Sequence, residues 1–260
     1  MAAREGAAIL GSVRNAARVL RAFAEAGQEL GVSELARRLD LSTSTVHRLV
    51  ATLASERLLE RTPGGRYRLG LAVYELGTGV SEHVDLHQAA LPVLTHLRHV
   101  TGEMVHVAVL DGLEVVYVER LESHHLMPIF RRVGHRLPAP VTSSGKVLLA
   151  ALPPDELDRR LVDWKPTPVT PRAIVDVGRL RAELARTAGR GWADNIEEGH
   201  PGVVSVGAPI RGADGVVTAA VSVVGASSRL TPPVMRRTVP QVVEAAGLIS
   251  RRLGHRPPRG

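Results

Sequence analysis

The sequence contains no cysteine, which excludes disulfides, thiol catalysis, iron–sulfur clusters and cysteine-based zinc fingers. Aromatic residues make up only 3% of the 260 residues, and no apolar run approaches the roughly 18 residues that a membrane-spanning helix needs. The first residues carry charge and no apolar signal core. With 44% hydrophobic and 23% charged residues, the composition predicts a cytoplasmic globular protein of one or two domains, with no membrane partner.

Positive charge is concentrated at the two ends of the chain. The net charge is +7, and the first 80 residues hold 11 arginines against eight acidic residues. The last 32 residues hold seven arginines against one acidic residue, whereas acidic residues slightly outnumber basic ones between these ends. This distribution indicates an anionic partner that contacts only part of the chain.

The first third of the sequence predicts three short helices. The first covers 12–26, with Ser12 as its cap and Gly27 at its end, and the second starts after Ser33 and runs from Glu34 to Leu39. The third follows a tight turn, is capped by Ser42 and has apolar residues at helical spacing, namely Val46, Leu49, Val50 and Leu53. Two short helices joined by a tight turn, the second amphipathic, are typical of a helix-turn-helix.

A β-hairpin is predicted directly after these helices. Its strands are Leu58–Arg61 and Arg66–Leu69, joined by Pro63-Gly64-Gly65. Period-two alternation predicts Tyr67 and Leu69 inward and Arg66 and Arg68 outward. A basic hairpin beside a helix-turn-helix indicates a wing that lies on the DNA backbone or in the minor groove.

The outward residues of the third helix are suited to reading DNA. Hydroxyls and a helix N-terminus hold phosphates, and an arginine can contact guanine through two hydrogen bonds. The candidate DNA-binding residues are Ser42, Thr43, Ser44, Thr45, His47, Arg48, Arg66 and Arg68. The alternative is a solvated three-helix unit whose polar face binds nothing.

The rest of the chain predicts an α+β domain with an antiparallel sheet flanked by helices. Helical spacing extends from Leu71 to Val100, where Pro92 is expected to bend or restart the helix. The predicted strands are Met104–Leu110, Leu113–Glu119, Val203–Pro209 and Val216–Gly225. The predicted helices are Ser144–Ala151, Asp155–Val162, Val177–Ala188 and Pro233–Leu253.

An ordered set of short motifs resembles the IclR family of bacterial transcriptional regulators. The motifs in the first domain are SVRNA at 12–16, VSELARRL at 32–39, LSTSTVHRL at 41–49 and GRYRLG at 65–70. Those further on are TGEMVH at 101–106, VVYV at 115–118, RVG at 132–134, LPA at 137–139, SGK at 144–146 and LTP at 230–232.

The resemblance implies three regions. They are a winged helix-turn-helix domain at 1–72, a linker helix region at 73–100, and a GAF-like effector-binding and oligomerisation domain at 101–254. The Arg/Pro-rich end of the sequence predicts a flexible tail at 255–260. The resemblance implies a dimer or tetramer that binds a double-stranded DNA operator and responds to a small organic effector, with carboxylic acids among the candidates. No cofactor, metal or catalytic residue is expected.

The resemblance also places an effector pocket between the sheet and the segment 142–146. The candidate effector-binding residues are Ser143, Ser144, Gly145, Asn195, Ser205 and Ser222. Hydroxyls, a glycine and backbone N–H groups at a helix start make an anion cradle, with a plain helix cap as the alternative. Relatives often have Asp at Asn195, Cys at Ser205 and Ser at Val224, so a different effector is expected. The candidate apolar wall consists of Met104, His106, Val118, Ile129 and Phe130.

Other interpretations carry less weight. Ser143 and Lys146 fit the S-x-x-K spacing of some acyl enzymes, a match short enough to arise by chance. His83 and His87 share a helix face, and zinc would need further ligands such as His124, His125 or His135. Glu197-Glu198 is expected in a charged loop or edge. The remaining alternative is a constitutive or architectural regulator whose second domain only oligomerises.

Overall fold

The computed structural model describes residues 9–78, 81–123, 125, 134–166 and 168–256. The chain forms two compact units, 1–81 and 82–260. Residues 257–260 of the predicted tail lie outside the described residues. In the described ranges, no helix is long and apolar enough to span a bilayer.

The first unit contains three helices, a two-stranded hairpin and a fourth short helix. These elements are α1 (Gly11–Ala26), α2 (Val32–Leu39), α3 (Thr43–Ser55), β1 (Leu59–Arg61), β2 (Tyr67–Leu69) and α4 (Leu71–Thr78). One core holds the three helices and the hairpin together, and it includes Phe23, Leu35, Val50 and Tyr67. Leu30 and Tyr67 exchange backbone hydrogen bonds, so the hairpin is fixed to the segment before α2.

Two local predictions for this unit are wrong. Ser12 does not cap α1, because the helix already begins at Gly11 and Leu10 occupies the cap position without a side-chain bond. Leu69 does not point inward: it is 36% exposed. Its strand has three residues that pair with β1, and Tyr67 also pairs with Leu30; these contacts leave the Leu69 side chain exposed.

The second unit is built on a six-stranded antiparallel sheet with the order β5-β4-β3-β8-β7-β6. Its strands are β3 (Met104–Asp111), β4 (Glu114–Leu121), β5 (Arg136–Pro138), β6 (Ala193–Ile196), β7 (Val203–Arg211) and β8 (Val217–Ala226). Its helices are α5 (Ser81–Thr101), α6 (Ser143–Ala150), α7 (Pro154–Leu161), α8 (Val177–Arg190) and α9 (Pro232–Arg252), with a 3₁₀ turn at Ala139–Val141. The α+β architecture agrees with the sequence prediction.

The two faces of the sheet carry separate cores. Helices α5 and α9 cover one face, where Val105, Val107 and Val206 are buried. The 3₁₀ turn and α6, α7 and α8 cover the other face, where Ala108, Tyr117 and Ala220 are buried. Residues one position along a strand from the first set therefore face α6.

The sequence pattern did not predict strands β5 and β6, which have three and four residues. Runs this short have too few positions to show alternation. The helix does not restart at Pro92, because α5 is continuous from Ser81 through Pro92 to Thr101.

Candidate DNA-reading surface and effector site

The N-terminus of α3 is capped by hydroxyl groups, as predicted. The backbone N–H of Thr45 donates to Ser42 Oγ at 3.2 Å. The same oxygen lies 2.8 Å from Thr45 Oγ1 and 3.1 Å from Ser44 Oγ. These side chains therefore order the first turn of the helix, with Ser44 exposed and Thr45 half-buried.

The polar face of α3 is exposed, while its apolar face is buried. Val46, Val50 and Leu53 lie in the core of the first unit. Thr43, Ser44, His47 and Arg48 are exposed. No ion pair or side-chain hydrogen bond is found between Arg48 and the described residues, so its guanidinium is available to an external anion.

Both predicted wing arginines form ion pairs within the first unit. Arg66 Nη2 donates to Glu34 Oε2 at 2.9 Å and to the Glu29 carbonyl oxygen at 2.6 Å. Arg68 pairs with Glu60 at 2.9 Å on the neighbouring strand. The two side chains are still 45% and 57% exposed, so each keeps donors that face solvent.

In the second unit, three polar residues lie side by side across three strands of the sheet. Ser222 on β8 is paired with His106 on β3, and His106 is paired with Arg120 on β4. We call these three residues the floor row. Because paired residues share a face, and Val105 and Val107 flank His106 on the opposite face, the row lies on the face covered by α6.

The side chains of the floor row are buried, and several of their polar atoms lack a hydrogen-bond partner among the described residues. Ser222 and His106 are 1% and 2% exposed, and neither the serine hydroxyl nor either imidazole nitrogen has a hydrogen-bond partner among the described residues. Burial, aided by the charge of Arg120, lowers the pKa of His106 to about 3. The ring is therefore neutral at physiological pH and packs 4.6 Å from the Tyr117 ring, centroid to centroid.

Arg120 was missed by the sequence analysis. Its side chain is 4% exposed, and its nearest acidic contact is Glu122, at 3.5 Å from Nη2. Nε and Nη1 have no partner in the described ranges. Burial also lowers the pKa of Arg120. Nothing in the local sequence marks this arginine as different from the exposed ones.

Two groups in the first turn of α6 are bonded within the unit. Thr142 caps the helix by accepting from the Gly145 N–H at 2.9 Å, which is the plain cap considered as an alternative. The Ser143 and Ser205 hydroxyls lie 2.8 Å apart. A Cβ at Gly145 would lie 2.2 Å from the Ala139 carbonyl oxygen, so this glycine permits the 3₁₀ turn to pack against the helix. Ser144 Oγ is buried without a partner in the described part of the chain.

Lys146 is bonded to a carboxylate and not to Ser143. Its Nζ donates to Glu198 Oε1 at 2.7 Å, and its side chain is 1% exposed. The S-x-x-K spacing therefore forms no serine–lysine pair here. Glu197 and Glu198 lie in the loop that follows the edge strand β6, as expected, but Glu198 is buried. Burial raises the pKa of Glu198 although Lys146 opposes this.

A cavity of about 20 Å³ lies beside these groups. Asn195, Ser205, His106, Tyr117 and Val224 are among its lining residues. Asn195 Oδ1 accepts from the Glu198 N–H at 2.8 Å, which fixes the amide. The space suits about one water molecule, so a larger ligand requires the site to open.

The structure assigns the remaining candidates to different places. Met104 lies on the α6 side of β3, but Val118 packs against the core on the opposite face, so its placement in the pocket wall is wrong. Tyr117 faces α6, so the ordinary alternation of a strand already places its neighbour Val118 on the opposite face. Ile129, Phe130, His124 and the side chain of His83 lie outside the described residues. His87 Nδ1 lies 2.7 Å from Glu119 Oε1, and within the described ranges no group of three His, Asp or Glu residues could hold a metal ion.

Comparisons with known proteins agree with both halves of this description. The sequence model "IclR helix-turn-helix domain" matches residues 12–63, and "Bacterial transcriptional regulator IclR C-terminal" matches residues 78–251. The chain belongs to the IclR family of bacterial transcriptional regulators. Its N-terminal unit is accordingly the DNA-binding helix-turn-helix domain of an IclR-type regulator.

Similar proteins cover nearly the whole chain. The HTH-type transcriptional regulator XynR of Escherichia coli K12 is 34% identical over 248 residues, covering 95% of this chain and 98% of the relative. A crystal structure of an IclR homolog from Microbacterium hydrocarbonoxydans, complexed with 4-hydroxybenzoate, has a TM-score of 0.82 at 32% identity. It covers 94% of this chain and 99% of its own. The IclR of Thermotoga maritima has a TM-score of 0.75 at 30% identity, covering 94% and 99%.

Proposed function

We propose that this IclR-family protein is a sequence-specific regulator whose operator binding is modulated by a small molecule held between the sheet and α6. Arg48 and His47 read base edges, while Ser42, Thr43, Ser44 and Thr45 and the wing residues Arg66 and Arg68 contact phosphates. The protein acts as a homo-oligomer, a dimer or tetramer, so that two recognition helices reach two half-sites.

The observation that carries the effector proposal is the group of buried polar side chains without partners beneath α6. Ser144, Ser222 and His106 have such atoms in the described part of the chain, and Ser205 and Asn195 line the adjacent cavity. Leaving a buried polar group unpaired costs about 1–3 kcal/mol. A domain that served only to oligomerise would gain stability from apolar residues at these positions, whereas a binding site requires polar groups.

The small size of the cavity favours the alternative of a constitutive regulator. A cavity of about 20 Å³ holds no organic effector without rearrangement. The effector proposal therefore requires an open arrangement, which the ligand stabilises by its higher affinity for that state.

The test is fluorescence anisotropy of the full chain on DNA from upstream of its own gene, with scrambled DNA as competitor. 4-Hydroxybenzoate and pyruvate are titrated into the complex at millimolar concentrations. Ser205→Leu fills the cavity and is expected to abolish the response while operator binding persists. Thr218→Leu is the matched control, since Thr218 is exposed on β8. An unchanged response in Ser205→Leu would show that the effector binds elsewhere, whereas operator affinity that ignores both probes would favour the constitutive alternative.

A further inference from the structure

The charges beneath α6 are distributed unevenly. Lys146 is neutralised by Glu198, with 2.7 Å between Nζ and Oε1. In the first turn of α6 the Gly145 N–H donates to Thr142 and the Ser143 hydroxyl is bonded to Ser205. The turn lies tightly on the sheet, since a Cβ at Gly207 would be 3.1 Å from the Ser144 nitrogen. Part of the cradle predicted from the sequence is therefore already bonded within the unit. Arg120 is the contrasting case: its side chain is buried in the floor row, and among the described residues no acid pairs with it more closely than Glu122, at 3.5 Å.

The position of Arg120 depends on a β-bulge. The β3–β4 hairpin pairs Asp111 with Glu114, and continuing that register without interruption would place Glu119 opposite His106. A shift between Val107 and Ala108 places Arg120 there instead. The bulge thus puts a cation, and not a carboxylate, beside the buried imidazole.

The surroundings of Arg120 do not compensate its charge. The acidic group that reaches it, Glu122, is 73% exposed and 3.5 Å away, so solvent screens it strongly. Burial is the main reason why the pKa values of His106 and His135 are lowered. The positive charge of Arg120 lowers both pKa values further. A buried cation with two free donors costs several kcal/mol unless an anion is present.

We propose that Arg120 is the anion-recognition group of the effector site, with Ser222 and His106 contacting the ligand beside it. This inference rests on the proposed function for the location of the site and adds the residue that selects ligand charge. The ligand is an organic anion whose carboxylate or equivalent group accepts from Arg120 Nε or Nη1, the two nitrogens without a partner in the described ranges. Neutral His106 then offers one donor or acceptor to an uncharged polar group of the same ligand.

The test uses pairs of probes that differ only in charge. Pyruvate and pyruvamide, benzoate and benzamide, and 4-hydroxybenzoate and 4-hydroxybenzamide are titrated calorimetrically into the full chain. We expect at least one carboxylate to bind ten times more tightly than its amide, since hydrogen bonds to charged groups are the stronger ones. Equal affinity within every pair, or no binding of any carboxylate at millimolar concentration, would overturn the proposal.

Arg120→Met removes the charge and keeps the length of the side chain. We expect it to erase the carboxylate preference, weaken carboxylate binding at least tenfold and leave amide binding within about twofold. Arg120→Lys keeps the charge without the planar fork and is expected to retain the preference at reduced affinity. Arg236→Met, at an exposed arginine on α9, is the control.

Thermal unfolding of the ligand-free variants separates a binding role from a structural one. Because the acid that the described residues offer to Arg120 is the exposed Glu122, at 3.5 Å, Arg120→Met is expected to keep or raise the Tm of the ligand-free protein. A lowered Tm, or failure to fold, would show that the guanidinium stabilises the fold and would overturn the proposal. So would a carboxylate preference that survives Arg120→Met.

Operator binding is measured in the same samples, so that failure of the proposed function can be distinguished from failure of the Arg120 subsite. Arg120-dependent anion binding that leaves operator affinity unchanged would support this subsite and contradict the proposed function. A Ser205-dependent response to the neutral amides, unaffected by Arg120→Met, would support the proposed function and contradict this subsite.

Discussion

The same three residue types occur at the two candidate sites, in opposite surroundings. On α3, Ser44, His47 and Arg48 are exposed to water. In the floor row, Ser222 and His106 are buried, and the side chain of Arg120 is 4% exposed. The chemistry of each side chain is identical, so its surroundings decide what it does.

This difference separates two kinds of recognition. Water satisfies the donors on α3 in the free protein, and DNA exchanges those hydrogen bonds for contacts with phosphates and base edges. The floor row has no such solvent, so its polar groups carry an energetic cost until a ligand arrives. The exposed polar groups therefore cost no stability in the free protein. The buried polar groups do cost stability, and mutation or a change of pH can reveal that cost.

The largest expected effect concerns the buried ion pair beside the floor row. Lys146→Met is expected to lower the free energy of unfolding by about 3–5 kcal/mol, because it leaves Glu198 buried without its cation. Urea unfolding followed by tryptophan fluorescence measures this, since both tryptophans, Trp164 and Trp192, belong to the second unit. Adding Glu198→Leu is expected to restore most of the loss.

An exposed pair in the same unit provides the control for that measurement. Arg136 contacts Glu114 at 3.0 Å, and the two side chains are 43% and 49% exposed. Arg136→Met is expected to cost under about 1 kcal/mol. A similarly small cost for Lys146→Met would contradict the contrast between buried and exposed charge.

The second prediction compares the two histidines. His106 stays neutral in the folded protein down to a pKa of about 3 but regains an ordinary pKa near 6.5 when the chain unfolds. The unfolded state therefore binds more protons between pH 6.5 and about 3, so stability falls as pH decreases through this window. At pH 4.5 this contribution amounts to about 2–3 kcal/mol relative to pH 7.5.

Variants at the two histidines test this directly. In urea unfolding between pH 7.5 and 4.5, the His106→Gln variant is expected to lack the decrease in stability that is due to His106. His47→Gln, which removes the exposed ring on α3, is expected to keep the wild-type dependence. Parallel curves for wild type and His106→Gln would show that the buried ring does not control acid stability.

The exposed site was largely predictable from the sequence. Helical spacing identified the buried face of α3, and therefore the exposed residues opposite it, from local information alone. The wing hairpin also followed from its Pro-Gly-Gly turn. What local pattern could not supply was the pairing of Arg66 with Glu34, which lies 32 positions earlier and meets it only through tertiary packing.

The buried site was predictable only in part, because it depends on register. The resemblance identified Asn195 and Ser205, which do lie opposite each other on β6 and β7. His106 was expected in an apolar wall, and Arg120 was not considered at all. Their pairing requires the bulge between Val107 and Ala108, and a one-residue irregularity in a strand leaves no signature in hydrophobic alternation.

The third prediction tests the exposed arginine as a reader of bases. Arg48→Ala is expected to weaken specific operator binding by about 1–3 kcal/mol and to affect scrambled DNA less, because base contacts carry the discrimination. Anisotropy titrations on operator and scrambled DNA measure the ratio of the two affinities. Arg21→Ala, at an exposed arginine on α1, is the control. Equal losses on both DNAs would limit Arg48 to a phosphate contact.

The smallest effect is expected at the wing, where an arginine is exposed but already paired. Arg66→Ala is expected to reduce the salt dependence of DNA binding by about one counterion, with a loss of under about 1 kcal/mol in affinity. Glu34→Gln is the complementary variant: it frees Arg66 Nη2 from one of its two partners and is expected to strengthen binding slightly. An unchanged salt slope in Arg66→Ala would remove this residue from the interface. The wing arginine would then resemble Lys146, a cation whose role is completed inside the protein.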